Sequence, residues 1–248
     1  MHTRWLVLFL LVFGLLIAPA SGQDTVALFG DVIFALDVTL DSNEPIFPLD
    51  VFPFNIPVIV GFVDVENLPR GAIITTRWLL ADEEKISSEY VHQVDEPDFR
   101  LWTPLSGPNG IEPGIWTLRF QYLGEVVAEK TVEVTTAPFV FPIRFGTACG
   151  TFTGEMLDYA EKYEGGVSHI FAQIRYANFP QRTPLEGVWF FDGEELEGPG
   201  LPTETTFTAN GQRCLRIGGN QALPAGTYEL QLREEGLVIQ SAVIEIGD

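Results

Sequence analysis

The sequence predicts an all-β protein built from two tandem β-sandwich domains, and three observations lead to that prediction. Short segments in which apolar and polar residues alternate recur along the chain, no long segment has a convincing helical period, and the two halves resemble each other. Alternation with a period of two is typical of half-buried strands. With 248 residues, 46% of them hydrophobic and 12% aromatic, the chain is long enough for two cores.

An internal repeat organises the chain. The matching blocks are Ile59–Pro69 with Ile170–Pro180, Trp78–Leu80 with Trp189–Phe191, and Gly114–Leu118 with Gly226–Leu230. The offset is 111 residues for the first two blocks (170 − 59) and 112 for the third (226 − 114). Several blocks in one order indicate duplication of one unit. The repeat predicts a first domain at 23–135, a linker at 136–139 and a second domain at 140–248.

About seven short strands are expected in each repeat. In the first they are Asp31–Asp41, Val58–Val65, Ile73–Leu80, Phe99–Trp102, Ile115–Tyr122 and Val126–Val134, with Ser87–Val94 as a weaker candidate. In the second they are Ile143–Cys149, Val167–Tyr176, Gly187–Phe191, Thr205–Thr208, Arg213–Ile217, Tyr228–Arg233 and Val238–Ile246. The short helical spacing in Gly154–Tyr163 is interpreted as a turn within a loop. Seven strands in about 105 residues are typical of an immunoglobulin-like (Ig-like) sandwich.

The inward positions of these strands predict the two cores. In the first domain they are Val32, Phe34, Leu36, Val63, Val65, Trp78, Leu118 and Phe120. In the second they are Ile143, Phe145, Ile174, Tyr176, Trp189, Leu230 and Leu232. Trp78 and Trp189 recur at one repeat position within apolar strands, as core tryptophans do. The position of Trp102 is left open, because an aromatic ring there could also stack on a sugar.

The amino terminus has the three parts of a secretory signal peptide, residues 1–22. A basic start at Arg4 precedes an apolar run of 14 residues (positions 5 to 18), and small residues follow. The run is shorter than the roughly 20 residues that span a bilayer. Cleavage after Ala20 and cleavage after Gly22 both satisfy the small-residue rule. The sequence therefore predicts a secreted chain, at the cell surface or in the periplasm if not fully released, without membrane insertion after cleavage.

The charge balance excludes two classes of partner. The chain has 14 Lys and Arg against 34 Asp and Glu, which gives a net charge of −20. Such a surface repels nucleic-acid phosphates and anionic lipid headgroups. We therefore expect neither nucleic acid nor a membrane surface as a partner.

Residues that carry catalysis or bind cofactors are scarce. His92 and His169 have no His or Cys neighbour at ligand spacing, and zinc sites need three or four clustered ligands. A Ser-His-Asp site built in space stays open, although Ser168 has no distinguishing context and no Gly-x-Ser-x-Gly motif is present. No glycine-rich phosphate loop or dinucleotide motif occurs. We expect no catalytic residues, no metal and no cofactor.

Three acidic segments, Asp82–Glu84, Asp95–Asp98 and Asp192–Glu197, could supply calcium ligands. Calcium takes six to eight oxygens on a turning backbone, but none of the segments has the Asp-x-Asp-x-Asp-Gly spacing of a calcium loop. Solvated hairpin tips that protect sheet edges are the preferred interpretation, and calcium binding stays open.

Cys149 and Cys214 are the only cysteines, and both lie in the second repeat. Export to an oxidising compartment favours a disulfide between them. Cys149 falls at the position of Val38 (149 − 38 = 111), which predicts an inward side chain. Cys214 is expected to point outward, so either a bulge or a pairing outside the core is needed. The alternative is two separate thiols, with Cys149 as a small core residue.

Three segments together resemble repeats in secreted bacterial proteins. They are the block Phe54–Val60, the Asn67-Leu68-Pro69 turn with the strand tryptophan, and the closing segment Leu223–Leu232. The resemblance covers nearly the whole chain after the leader and implies Ig-like sandwiches of unknown or accessory function. Its motifs are structural, and it implies no site residues.

Two hypotheses about function follow. The first is a secreted non-catalytic module for binding, adhesion or spacing, with an unknown extracellular protein or glycan as its partner. The second is a small secreted enzyme or inhibitor with a site on the strand-end loops, which the fold alone does not exclude. Convergent titratable groups in a pocket would favour the enzyme, and a flat or aromatic patch would favour the module.

Overall fold

The computed structural model describes residues 26–39, 41–150, 153–198 and 201–247, and within these ranges the chain consists of strands, turns and loops without a helix. The expected signal peptide and its cleavage positions, Ala20 and Gly22, lie outside the described residues. The segment Gly154–Tyr163 contains no helix, as its interpretation as a loop requires. In the described part of the chain, no helix is long and apolar enough to cross a membrane.

The described residues of the first half form ten strands in two sheets. They are β1 (Leu28–Phe29), β2 (Ile33–Val38), β3 (Pro45–Pro48), β4 (Val51–Pro53), β5 (Val58–Glu66), β6 (Ile73–Leu80), β7 (Glu83–Val91), β8 (Phe99–Ser106), β9 (Gly114–Tyr122) and β10 (Glu125–Thr135). In one sheet β5 pairs with β1, β2 and β8, and β3 extends it beyond β2. The other sheet has the order β4-β10-β9-β6-β7, in which β4 and β10 are parallel. The weak candidate Ser87–Val94 corresponds to β7, which begins four residues earlier (87 − 83).

The second half repeats this arrangement with eight strands in its described residues. They are β11 (Phe139–Val140), β12 (Arg144–Gly146), β13 (Lys162–Tyr163), β14 (His169–Phe191), β15 (Glu194–Glu195), β16 (Thr203–Gly218), β17 (Gly226–Glu234) and β18 (Leu237–Ile246). β14 corresponds to β5 and β6 joined, and it pairs with β11, β12, β15, β16 and β17. β13 runs parallel to β18, as β4 does to β10. All eight strands therefore belong to one hydrogen-bonded sheet that folds over itself.

The prediction of separate strands at Val167–Tyr176 and Gly187–Phe191 was wrong, as was that of a break between Thr208 and Arg213. β14 and β16 stay paired from His169↔Gly218 to Gly187↔Thr203, with register shifts between Tyr176 and Thr183. In the first half the loop His92–Asp98 separates β7 from β8. In the second half the equivalent residues, between Phe207 and Gly211, belong to β16, so the strand is not interrupted there. A short connection lets both strands bend through the corner at bulges without breaking.

The turns of the two halves share their backbone conformations. Residues with positive φ recur as the pairs Asn67 and Asn178, Gly71 and Arg182, Ala81 and Asp192, Asp82 and Gly193, Gly114 and Gly226, Leu123 and Glu235, and Gly124 and Gly236. The first four pairs are 111 residues apart (178 − 67) and the last three 112 (226 − 114). Non-glycine residues rarely adopt this conformation, so its recurrence marks equivalent turns. The chain is an all-β protein of two tandem Ig-like sandwiches.

Each sandwich has its own hydrophobic core. One cluster contains residues from Val32 to Val134, and a second contains residues from Ile143 to Ile246. All the predicted core residues are buried except Leu36, which is half-buried and packs against the first cluster. The ring pair Phe34 and Trp78, with centroids 5.7 Å apart, recurs as Phe145 and Trp189 at 6.1 Å.

Candidate ligand-binding face

The outer surface of the β2–β5–β8 sheet is apolar in the first sandwich. Ile59, Val63 and Val65 of β5 belong to the core, so the alternate residues of β5 point outward. We define the Trp102 face by the outward residues Ile33, Ala35, Val58, Val60, Phe62, Trp102 and Pro104. Ala35, Val60 and Phe62 form a small hydrophobic cluster separate from the main core.

Trp102 is the exposed aromatic residue of this face. It lies directly opposite Phe62 in the β5–β8 pair, and residues opposite each other in a sheet share a face. Phe62 is 1% exposed, whereas Trp102 is 40% exposed. The sequence left open whether Trp102 is buried or exposed. The structure shows that its ring meets solvent, whereas Trp78 and Trp189 are buried.

A polar network borders the Trp102 face. Arg100, two residues before Trp102 on β8, donates from Nε and Nη2 to the two carboxylate oxygens of Asp64, at 2.7 and 3.0 Å. Its Nη1 also donates to Glu44. Hydrogen bonding to Asp64, opposed by partial burial and aided by the nearby negative charges, raises the pKa of Arg100. The network holds one cation between two carboxylates, and the side chains of Asp64 and Glu44 stay more than half exposed.

The equivalent face of the second sandwich is covered by its own chain. We define the covering segment as residues 147–150 and 153–160. Gln173, at the position of Phe62 (173 − 62 = 111), is 3% exposed beneath this segment. Its Nε2 donates to Gly154 O at 2.9 Å, and its Oε1 accepts from Tyr159 Oη at 3.1 Å. In the first sandwich β3 instead pairs with the edge of β2. Ala35, Val60 and Phe62 of the Trp102 face are at most 3% exposed, so the ring of Trp102 is the aromatic part of that face that meets solvent.

A disulfide between Cys149 and Cys214 fastens the covering segment to β16, which confirms the predicted pairing. Cys214 lies opposite Gln173 on the outer face, so the bond is outside the core. The expected inward position of Cys149 was wrong, because β12 ends at Gly146 and Cys149 lies in the covering segment opposite Met156. Val38 also packs against the outer cluster and not against the main core.

Asp158 anchors the start of the covering segment. Its carboxylate accepts hydrogen bonds from Thr147 N, Thr147 Oγ1 and Ala148 N, at 2.6 to 3.0 Å. Partial burial opposes ionisation, but these hydrogen bonds outweigh it and lower the pKa of Asp158. Gly146 permits this close approach, because a Cβ there would lie 2.3 Å from both Asp158 O and Met156 Sδ.

The two histidines of the described chain have structural contacts. His169 bridges Ser168 Oγ at 3.0 Å and Thr147 O at 3.1 Å, so its ring connects β14 to the covering segment. In a Ser-His-Asp site the histidine is hydrogen-bonded to a serine and to a carboxylate. At His169 the backbone carbonyl of Thr147 stands where that carboxylate would be. His92 is 1% exposed and stacks on Phe99, with centroids 4.8 Å apart.

The acidic segments are engaged in ion pairs and turns. Glu83 pairs with Lys85, Glu84 with Arg77 and Asp95 with Arg70, while Asp98 accepts from Asn67 N and Asp192 from Thr227 N. Among the described residues, no group of three or more His, Cys, Asp or Glu side chains is arranged to hold a metal ion.

An aromatic–arginine clamp joins the two sandwiches. The ring of Phe47 lies 4.5 Å from the Arg144 guanidinium and 5.8 Å from that of Arg175. Arg175 also stacks on Phe141 at 4.8 Å. Asn178 Nδ2 donates to Thr135 O at 3.0 Å, directly before the linker. This clamp was not predicted from the sequence, although Arg144 replaces Ile33 of the first repeat (144 − 33 = 111) and was a usable signal.

Comparisons with known proteins add little to this description. No family model and no curated protein matches the chain. Among solved structures, a β-glycosidase from Bacteroides vulgatus is 14% identical, with 76% of this chain and 22% of that chain covered at a TM-score of 0.30. A tandem of titin Ig domains is 18% identical, with 80% of this chain and 91% of that chain covered at a TM-score of 0.25. A chimeric titin tandem functionalised with a fibronectin peptide is 16% identical, with 79% of this chain and 93% of that chain covered at a TM-score of 0.26. These TM-scores are too low to support an inference about this chain.

Proposed function

We propose that this protein is a secreted, non-catalytic module that binds an extracellular partner through the Trp102 face. The observation that carries the proposal is the 40% exposed ring of Trp102 opposite the buried Phe62, at a position whose counterpart in the second sandwich, Cys214, is bonded to the covering segment. Tryptophan is enriched at interfaces, because its large ring buries apolar area while its indole N–H donates a hydrogen bond. The resemblance to repeats of secreted bacterial proteins is consistent with an accessory role of this kind.

Three further features support the proposal. The signal-peptide pattern at residues 1–22 and the disulfide suit an oxidising compartment outside the cytosol. Phe47, Arg144 and Arg175 hold the sandwiches in one relative orientation, which suits a module that presents a face at a fixed position. N-terminal sequencing of protein exported by a secreting host tests the first feature, with Ser21 or Gln23 expected as the first residue.

The enzyme or inhibitor alternative has weaker support. A cavity of about 650 Å³ lies beside the disulfide, and Tyr176, Glu204 and Arg213 are the titratable side chains that line it. Glu204 and Arg213 are exposed to solvent, whereas Tyr176 is buried and stacks on Phe207. The lining therefore lacks the set of buried titratable groups that marks a catalytic pocket. The raised pKa values of Tyr90, Tyr163 and Tyr228 arise chiefly from burial at separate places in the two sandwiches.

Affinity capture tests the proposed function. The mature protein and its Trp102→Ala variant are immobilised and exposed to native cell-wall and culture-fluid fractions, with Tyr159→Ala as the matched aromatic control. We expect one component to be retained by the parent protein and the control but not by Trp102→Ala. Equal retention by all three proteins, or release of a cleaved product from the fractions, would overturn the proposal.

A further inference from the structure

We infer that the Trp102 face binds a neutral polysaccharide chain, a conclusion that rests on the proposed function and names its ligand class. The ring of Trp102 and the oxygen-rich network of Arg100, Asp64 and Glu44 lie side by side on one sheet surface. A sugar ring has an apolar face of C–H groups and an equatorial rim of hydroxyl groups. The two parts of the site match these two parts of a sugar.

The spacing of the strand places both parts within reach of one glycan. Arg100, Trp102 and Pro104 are alternate residues of β8 and share the outer face, so neighbouring side chains are about 6.8 Å apart. A glycan of two or more sugars is longer than that separation, so one chain can contact both parts of the site. Arg100 donates its hydrogen bonds to carboxylates, and the remaining carboxylate lone pairs of Asp64 and Glu44 accept from hydroxyl groups.

Charge favours a neutral ligand over an anionic one. The chain carries a net charge of −20, and the cation beside Trp102 is already paired with two carboxylates. An acidic polysaccharide or an acidic peptide would be repelled by this surface, whereas a neutral sugar chain has no such electrostatic cost.

The covered counterpart in the second sandwich argues against a peptide. There the sheet holds a polypeptide through two side-chain amides, because Gln173 Nε2 donates to Gly154 O and Gln212 Nε2 to Thr153 O. The first sandwich has Phe62 and Arg100 at these positions (173 − 111 and 212 − 112). Phe62 has no hydrogen-bonding group, and Nε, Nη1 and Nη2 of Arg100 already donate to Asp64 and Glu44. The groups that bind a polypeptide on this face are therefore absent from the Trp102 face.

Strand addition to the edge of β8 is also disfavoured. In the described part of the chain β8 pairs with β5 alone, so its other edge is free of sheet partners. Pro104 lies in the second half of β8 and has no N–H to donate, and a proline in an edge strand protects that edge from further pairing. The remaining surface for recognition is the aromatic face itself.

Affinity gel electrophoresis with defined polysaccharides tests the inference. The mature protein is run through gels that contain galactomannan, hydroxyethyl cellulose or arabinoxylan as neutral polymers, and alginate as an acidic polymer. We expect retardation by at least one neutral polymer and none by alginate. Trp102→Ala should weaken that retardation about tenfold or more, Trp102→Phe should retain part of it, and Tyr159→Ala should match the parent protein. Thermal melts establish that each variant is folded.

The possible outcomes separate this inference from the proposed function. Absence of retardation by all the neutral polymers, retardation by alginate alone, or equal retardation of parent and Trp102→Ala overturns the glycan assignment. If a protein is captured from the cell-wall fractions in a Trp102-dependent manner while the gels show no retardation, the glycan assignment fails and the binding function stands. If neither experiment depends on Trp102, both fail.

Discussion

Trp102 of the first sandwich and Cys214 of the second occupy equivalent positions, 112 residues apart (214 − 102) on the outer face of the same sheet. Trp102 meets solvent, whereas Cys214 is bonded to a segment of its own chain that crosses the face. The duplicated fold thus carries an exposed tryptophan ring at this position in the first sandwich and a disulfide-bonded segment in the second. This difference underlies the proposed function, because the first sandwich presents an aromatic ring to solvent where the second does not.

Replacing the core tryptophans tests the two-core description. Trp78→Ala and Trp189→Ala each remove a side chain that is at most 1% exposed, and each should lower the free energy of unfolding by about 3–5 kcal/mol. Denaturant titration monitored by circular dichroism measures the change. Melting temperatures within a degree of the parent protein for both variants would contradict the burial of these residues.

The disulfide should stabilise only the second sandwich. It closes a loop of 65 residues (214 − 149), for which about 2–4 kcal/mol is expected. Calorimetry of the Cys149→Ser/Cys214→Ser double variant should show a lower transition for the second sandwich and an unchanged one for the first. Mass spectrometry after alkylation gives the control, since two reactive thiols in the unreduced mature protein would disprove the bond.

Asp158 should make the second sandwich sensitive to acid. Its pKa is lowered in the folded protein, so its stabilising contribution is present above the ordinary value near 3.9 and is lost as the pH falls through the folded value. At pH 7, Asp158→Asn should cost about 1–3 kcal/mol, since it weakens charge-assisted hydrogen bonds. Unfolding measured from pH 7 to pH 2 should show the two proteins converging at low pH, and a difference that is constant with pH would contradict this role.

The clamp between the sandwiches should limit their relative motion. Phe47→Ala removes the ring that lies between Arg144 and Arg175, and cation–π contacts of this kind contribute about 0.5–2 kcal/mol each. Small-angle X-ray scattering should show a broader distance distribution for the variant at an unchanged melting temperature of each sandwich. Leu123→Ala, at an exposed hairpin tip, is the control. Identical scattering from Phe47→Ala and the parent protein would show that the clamp does not restrain the junction.

Sequence periodicity was sufficient for the fold but not for the candidate site. The strand pattern and the recurrence of Trp78 at Trp189 follow from alternation and repeat, which are local properties of the chain. The path of the covering segment could not be predicted, because it depends on the close approach that Gly146 permits and on hydrogen bonds from Gln173 and Gln212. The continuity of β14 was also not predicted. It depends on β16, which continues through the residues before Arg213 and stays paired with β14 across the bend.

Hydroxyl-radical footprinting of the tryptophans tests whether Trp102 lies at the binding site. In the mature protein alone, Trp102 should be oxidised rapidly, while Trp78 and Trp189 should be protected, because they are at most 1% exposed against 40% for Trp102. When the component retained in the capture experiment is added, oxidation of Trp102 should fall while that of an exposed residue far from the face, Leu123, should not change. Slow oxidation of Trp102 in the free protein, or oxidation of Trp102 that the bound component leaves unchanged, would contradict the claim that Trp102 lies at the binding site.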